Sequence, residues 1–449
     1  MTRSTDPTPD GVSAGRLDRP RTRPDGQVRA RWAWTEPTVW TDRMLTALEQ
    51  GVQGGKWFRL MDKVYAAANL AAAYREVAAN GGAAGVDHVT IAAFGRHLEQ
   101  EVQRLAQALR AGTYRPQAVR RVWIPKPGRG GKRPLGIPTV RDRVVQAALR
   151  HVLEPIFERE FAEHSYGFRP GRGCKDALRR VAALLKAGYR YVVDADLQSY
   201  FDTIPHAQLL ARIRGKVADT HVLSLIESFL TQGVMDGLCE WTPERGSPQG
   251  AVISPLLSNV YLDPLDHRMA ERGFQMVRYA DDFVVLCRTR ADAEAVLAVV
   301  RAWVADSGLT LHPEKTRIVE VDVEGVDFLG YHFQGKRRWP RKRSIVQLKD
   351  AIRAKTRRTN GHSLDDVIAA INPTLRGWFA YFQHSHWTTF RPVDGWIRMR
   401  LRAILRRRTG RRGCGPGADH QRWPNTFFAE HGLFTLVAAH RLACQSALR

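Results

Sequence analysis

Two adjacent carboxylates, Asp281 and Asp282, sit between two apolar runs in the stretch Phe274 to Arg288. The right-hand run, Phe283-Val284-Val285-Leu286, is β-branched and aromatic, so it reads as a buried strand. The left-hand run is less pure but also strand-like. Asp-rich turn chemistry between them predicts a hairpin with both carboxylates at its tip. Adjacent carboxylates repel, and apolar neighbours sharpen the repulsion. A divalent cation relieves both problems, and hard oxygen ligands suit magnesium. A third carboxylate comes from Tyr189 to Asp202, which begins as a strand and reaches Asp196 at its end. Asp194 alternates with Asp196 and would share its face. Each aspartate alone has an ordinary reading as a turn or cap residue. Together, Asp196, Asp281 and Asp282 supply the carboxylates of a two-metal site.

Other stretches must bring substrate to these acids. Val119 to Pro138 reads as two short extended segments around a Gly-rich basic loop, kept out of helix by its prolines. Such a hairpin can lie over phosphates, with Lys126 and Arg133 directed at a polyphosphate. His164 to Arg172 is a second basic, aromatic, Gly-containing loop. Arg245 to Leu257 is a tight Gly/Pro turn followed by an apolar helix; Gln249 sits on the turn, where it could shape a nucleotide pocket. Helical periodicity covers much of 43–79, 90–110, 141–157, 176–185 and 291–307. Asp202 is expected to start a helix. Residues 308–316 read as strand and turn, and 328–333 as a further strand.

The chain has 449 residues and a formal net charge of +24, with pI near 10.4. That charge calls for a polyanionic partner, most simply nucleic acid. No apolar run is long enough for a membrane span, and no signal-peptide core is present. A soluble, intracellular protein with no membrane partner is therefore expected. The cysteines are scattered, with no C-x-x-C pair, so neither a disulfide framework nor a Cys-rich zinc module is expected.

Positive charge concentrates late in the chain. Residues 336–358 hold eleven Lys and Arg against one acid, Asp350. Residues 398–412 hold eight Arg and no acid. Aromatics lie between these runs, which suits helices packed on one face and laid along a nucleic-acid backbone by the other. Candidate RNA contacts are Arg337, Arg338, Arg341, Lys342, Arg343, Arg357, Arg358, Arg406, Arg407 and Arg408. Residues 1–40, rich in Pro, Asp, Arg and Thr, read as a disordered basic tail.

Several motifs in order resemble the reverse transcriptase/maturase of bacterial group II introns. Ile124-Pro125-Lys126-Pro127 with Arg133-Pro134-Leu135-Gly136-Ile137-Pro138 resembles the first fingers motif, and His164-Ser165-Tyr166-Gly167-Phe168-Arg169-Pro170 the second. Asp196 through Phe201-Asp202 resembles the first palm motif, and Ser247-Pro248-Gln249-Gly250 the palm turn. Tyr279-Ala280-Asp281-Asp282 looks like the catalytic tetrapeptide. Leu311 to Thr316 and Phe328 to Tyr331 resemble the last two motifs. Asn372 to Arg402 resembles the maturase or thumb region.

The resemblance implies an α+β right-hand polymerase: fingers, an antiparallel palm sheet with flanking helices, and a helical thumb. It divides the chain into a tail (1–40), an N-terminal helical fingers extension (41–118), fingers and palm (119–335), an RNA-binding thumb/maturase domain (336–412) and a short C-terminal segment without an endonuclease (413–449). It implies that Asp196, Asp281 and Asp282 hold two Mg2+ ions. Lys126 and Arg133 would bind the triphosphate, Phe201 would wall off the sugar 2′ position, Gln249 would line the nucleotide site and Lys315 would donate a proton to pyrophosphate. The implied activity is RNA-directed DNA synthesis on intron RNA during retrohoming, coupled to intron binding that assists splicing, in the bacterial cytoplasm. Implied partners are the group II intron RNA, an RNA template with a DNA primer, dNTPs and target DNA. Two other readings stand beside it: a maturase that binds RNA without polymerising, and a related reverse transcriptase recruited to phage defence or a CRISPR locus.

Overall fold

The computed structural model describes residues 26–125, 131–237, 239–359, 361–410 and 417–446. Lys126 lies outside them. Among these residues the strands are β1 (Val119–Pro125), β2 (Lys132–Ile137), β3 (Tyr191–Asp196), β4 (Val234–Asp236), β5 (Cys239–Trp241), β6 (Gln275–Tyr279), β7 (Asp282–Cys287), β8 (Arg317–Glu320), β9 (Val326–Phe328), β10 (Tyr331–Gln334) and β11 (Arg337–Pro340). They form three sheets, ordered β6-β7-β3-β8, β2-β1-β4-β5 and β11-β10-β9. The fold is α+β.

The first sheet is antiparallel throughout and is buried on both faces. That is why β7 reads as an unbroken apolar run. Alternation splits its side chains. Val193, Ala195, Phe283, Val285 and Cys287 join one core, against the helices Ser254–Glu271 and Arg290–Asp306. Val192, Val284 and Leu286 join the other, with the helix Cys174–Lys186 and the β9–β11 sheet. The even-numbered aspartates of β3 and β7 therefore share the second face.

A third core belongs to the helices Lys342–Lys355, Leu364–Phe382 and Phe390–Arg408. The C-terminal segment completes it. Trp423, Phe428, Leu433 and Leu436 are buried there, and both Asp394 oxygens accept backbone N–H groups of Leu436 and Val437 at 3.0 Å. Two-point capping by a buried carboxylate fixes the start of the last helix on the bundle. No helix among the described residues is long and apolar enough to cross a membrane.

Two expectations need correction. Residues 26–40 are not tail: Gly26–Arg31 is a helix, Trp32, Val39 and Trp40 are buried, and the Trp40 indole N–H donates to the His151 carbonyl at 2.8 Å. Three large apolar side chains here outweigh the polar composition around them. The strand expected over 328–333 is a hairpin. Leu329 and Gly330 have φ of 45° and 83°, the left-handed pair that a tight two-residue turn requires.

The helices Ala67–Asn80 and Val140–Glu158 pack around a polar cluster. His151 bridges Asn69 Oδ1 at 2.8 Å and Glu76 Oε2 at 2.9 Å, and Arg150 also binds Glu76. The His151 bond holds the Glu76 carboxyl down at about 2. Glu154 is pushed up to about 7, by burial first and then by Glu158 and Glu76 against the pull of Arg150. An acid raised by folding favours the native state below its unfolded pKa, and that contribution is lost as pH rises through the folded value. Glu154→Gln should therefore flatten the fall in stability between about pH 4.5 and 8, gaining up to about 3 kcal/mol at the alkaline end. Denaturant midpoints measured across that range check this; parallel curves for parent and variant would contradict it.

Candidate active site

The turn between β6 and β7 is two residues long, because Tyr279 pairs with Asp282. Ala280 takes a φ of 59° there. That strain needs support, and three groups provide it. The Gly167 backbone lies against the turn so closely that a Cβ would come within 2.2 Å of the Ala280 nitrogen. Only glycine fits. The backbone of His164 to Tyr166 hydrogen-bonds both ways with Arg278, docking the basic loop on the edge of β6. Beneath the turn, the fully buried Arg278 guanidinium donates to the Ala280 carbonyl and to Asn259 Oδ1, each at 2.9 Å, and forms a forked pair with Asp266. Asn259 in turn donates to the Gly167 carbonyl at 2.8 Å. Turn, loop and the helix Ser254–Glu271 thus form one network, with every arm charge-assisted or paired.

The turn and strand register gather the acids. Asp196, the last residue of β3, faces Asp282, the first of β7, across the ladder. Asp281 occupies the turn beside them. Like charges directly opposite on a sheet repel. Asp282 is exposed at the end of its strand; its carboxyl is pushed up to about 7 by desolvation first, then by Asp194, Asp281 and Asp196, while Arg341 opposes the rise. Asp281 is raised by burial and by Asp196. Asp194 sits on the same face two residues before Asp196 and is raised to about 6, mainly by burial, with Arg317 at 4.0 Å opposing. Lys315 donates to Asp196 Oδ2 at 2.7 Å. Among the described residues, no three His, Cys, Asp or Glu side chains are gathered closely enough to cage an ion. The all-oxygen donor set and the mutual elevation of these acids nonetheless fit a hard divalent cation.

The palm turn is tied to the residue expected to gate the sugar. Ser247 N–H donates to the Phe201 carbonyl at 2.6 Å and Gly246 N–H to the Ile204 carbonyl at 2.8 Å. Gly246, at φ 93°, is another close approach: a Cβ would meet the Phe201 carbonyl oxygen at 2.7 Å. Phe201 lies on the short helix Tyr200–Thr203, with Asp202 inside that helix. Phe201 and Gln249 line one cavity. Gly136 of β2 donates to the Gln249 carbonyl at 2.6 Å, which joins the β1–β2 hairpin to the turn that carries Gln249. Arg133 lies exposed on β2, opposite Ile124.

The expected RNA contacts divide. Arg337, Lys342, Arg343, Arg357, Arg358, Arg407 and Arg408 are exposed. Arg338 donates to the His384 carbonyl at 3.0 Å and lies over the Tyr331 ring. Arg341 is half-buried, and its charge opposes the rise of the Asp282 carboxyl. Arg406 is not a surface cation. It is mostly buried and paired with buried Asp419, because the C-terminal segment folds over it. Arg278, Asn259 and Asp266 were not anticipated. The signal was present in the sequence: an Arg inside the apolar strand Met276-Val277-Arg278 cannot be buried without an acid.

Residues 124–333 match the model of the reverse transcriptase (RNA-dependent DNA polymerase) family, and residues 345–423 match the group II intron maturase-specific domain. The chain is 35% identical over 349 residues to Protein YkfC of Escherichia coli K12, an alignment covering 69% of this chain and 87% of YkfC. The chain belongs to the group II intron reverse transcriptase/maturase family. It is also 40% identical over 168 residues to the group II intron-encoded protein LtrA of Lactococcus lactis, covering 37% of this chain and 28% of LtrA. A chain of a solved Cas6-RT-Cas1–Cas2 complex aligns over 55% of this chain at 25% identity with a TM-score of 0.36, too slight a likeness to carry an argument. The family's enzyme class is RNA-directed DNA polymerase, and its metal dependence is divalent.

Proposed function

We propose that this chain extends a DNA primer on an RNA template, copying the group II intron RNA into DNA at a target site during retrohoming, and that it binds the same RNA to assist splicing. The observation that carries the reading is Asp196 facing Asp282 across the β3–β7 ladder, with Asp281 in the adjoining turn. Two magnesium ions held by these three carboxylates would supply activation of the primer hydroxyl and charge neutralisation at the phosphates. The protein's own groups do the rest. Lys126 and Arg133 hold the triphosphate. Gln249, fixed on Gly136 and joined through Ser247 to Phe201, lines the nucleotide site. Lys315, hydrogen-bonded to Asp196, would give a proton to departing pyrophosphate. The exposed cations of residues 337–358 and 407–408 run along the RNA backbone. In this reading 119–335 are fingers and palm, 41–118 extend the fingers, and 336–412 are the thumb, completed by the helices after residue 417.

Phe201 excludes a 2′-hydroxyl by bulk. Phe201→Ala should raise ribonucleotide incorporation relative to deoxynucleotide by about tenfold or more, read as the ratio of kcat/KM for each in single-nucleotide extension. An unchanged ratio would remove Phe201 from the gate.

One preparation tests both activities. The protein is added to an intron-containing transcript at a magnesium concentration where the RNA alone does not splice, and separately to intron RNA with an annealed DNA primer and dNTPs. Splicing and extension together support the proposal. Splicing alone makes the chain a maturase only; extension alone detaches it from the intron.

A further inference from the structure

A cavity of about 260 Å3 lies where the helix Cys174–Lys186, the β10–β11 hairpin and the loop after the helix Leu364–Phe382 meet. Two hydrogen bonds at the hairpin tip place it. Gly335 N–H donates to the Val321 carbonyl at 3.1 Å, and Val321 N–H donates to the Arg190 carbonyl at 2.9 Å. Arg190 precedes β3 and Asp196 ends it, so the tip and the acids lie at opposite ends of that strand. The loop is pinned to β11 in both directions. His386 N–H donates to the Arg338 carbonyl at 2.7 Å, and Arg338 Nε donates to the His384 carbonyl at 3.0 Å. Lys186, Lys336, Arg337, Arg338, His384 and His386 line the cavity, and none of its lining residues is acidic. The side chains of Lys186, Lys336 and Arg337 have no acidic partner among the described residues. His384 is held below its ordinary pKa by desolvation first, then by Arg338, Lys175, Arg179 and His440. Beside the cavity stands an aromatic row. The His386 ring centroid is 5.5 Å from that of Trp339 and 5.6 Å from that of Trp387, and Trp387 is 63% exposed.

We propose that this cavity holds one backbone phosphate of a single-stranded stretch of RNA, with an adjoining base stacked on Trp387. A concavity lined by one sign of charge focuses its field on whatever enters it, and without an acid that field has no internal compensation. A phosphate supplies the missing charge. Arg338 spends only Nε on the loop, which leaves its two terminal nitrogens for phosphate oxygens. The cavity is below the roughly 300 Å3 of ordinary small-molecule pockets, so it suits a phosphate rather than a whole nucleotide. The base then lies outside, where an exposed indole offers it a flat face. Pairing a phosphate grip with an aromatic platform is what distinguishes a strand from a free anion, and it favours unpaired RNA, whose bases are open to stacking. The proposal deepens the RNA-binding part of the proposed function and rests on it. It adds Lys186, Lys336 and Trp387 to the contacts, and it takes the RNA to the end of the palm sheet away from the acids.

The test uses the full chain and a labelled, unstructured single-stranded RNA oligonucleotide, beside a duplex of the same length, with anisotropy read over a series of salt concentrations. The double variant Lys186→Gln, Lys336→Gln should bind the single strand about tenfold more weakly at low salt, and its plot of log affinity against log salt should be shallower by about 0.7, the share of one phosphate. Trp387→Ala should weaken the single strand about fivefold or more, leave the salt slope as it was and leave duplex binding unchanged. Trp387→Phe should recover most of the loss. Unfolding temperatures equal to the parent's show that each variant is folded. Inorganic phosphate is the second probe. Micromolar binding of phosphate alone, lost in the double variant, would make a free anion the occupant and overturn the proposal. So would single-strand affinities and salt slopes equal to the parent's in both the double variant and Trp387→Ala. A parent that binds no RNA would instead overturn the RNA-binding reading itself, which keeps the two failures apart.

Discussion

Asp282→Asn abolishes primer extension, to below about a thousandth of the parent rate, and leaves the protein as stable as before or slightly more so. The two halves have one cause. Asp282 faces Asp196 across the ladder and is pushed up to about 7 by its surroundings and by Asp194, Asp281 and Asp196. A carboxyl raised in the folded state favours folding while protonated, and this contribution is lost as pH rises through about 7. Asparagine keeps the shape and removes the repulsion. The gain appears only at neutral and alkaline pH, and since water reaches the site it is no more than about 1 kcal/mol. Denaturant unfolding at pH 5 and pH 8 beside an extension assay measures both. A variant that lost activity and stability together would make Asp282 a structural residue.

Arg278→Ala has the largest expected effect on stability, a loss of about 3–5 kcal/mol. The guanidinium is fully buried and satisfies Asp266, Asn259 and the Ala280 carbonyl at once. Its removal leaves a buried carboxylate without a counter-charge and takes the prop from a turn held at positive φ. Much of the loss is the stranded Asp266. Arg278→Ala with Asp266→Ala should therefore be less damaging than the sum of the single changes. Additive effects, or a single-variant loss under about 1 kcal/mol, would mean that the network does not hold the catalytic turn.

What the sequence made legible follows the range of each interaction. β7 and its carboxylates were readable because strand and turn signals are local. The shared face of Asp194 and Asp196 followed from alternation alone. The facing of Asp196 and Asp282 did not, since register between strands some eighty residues apart is set by the whole sheet. Arg278 announced that an acid was needed but not that Asp266, twelve residues earlier, supplied it from a neighbouring helix. Arg406 looked like part of a surface run because its partner Asp419 comes from the C-terminal segment, beyond the reach of local pattern. Trp40 was lost in a polar stretch because one deep contact, to His151, decides its place. The hairpin at Leu329-Gly330 was missed for a different reason: a non-Gly residue at positive φ has no strong sequence signature.

The most direct measurement is extension of a labelled DNA primer on an RNA template by the purified chain with dNTPs and magnesium, run beside Asp282→Asn and beside the parent with chelator. The account predicts full-length DNA from the parent with magnesium and none from either control. Extension by Asp282→Asn at the parent's rate would contradict it, because the ladder where Asp196 and Asp282 meet would then not be the catalytic centre.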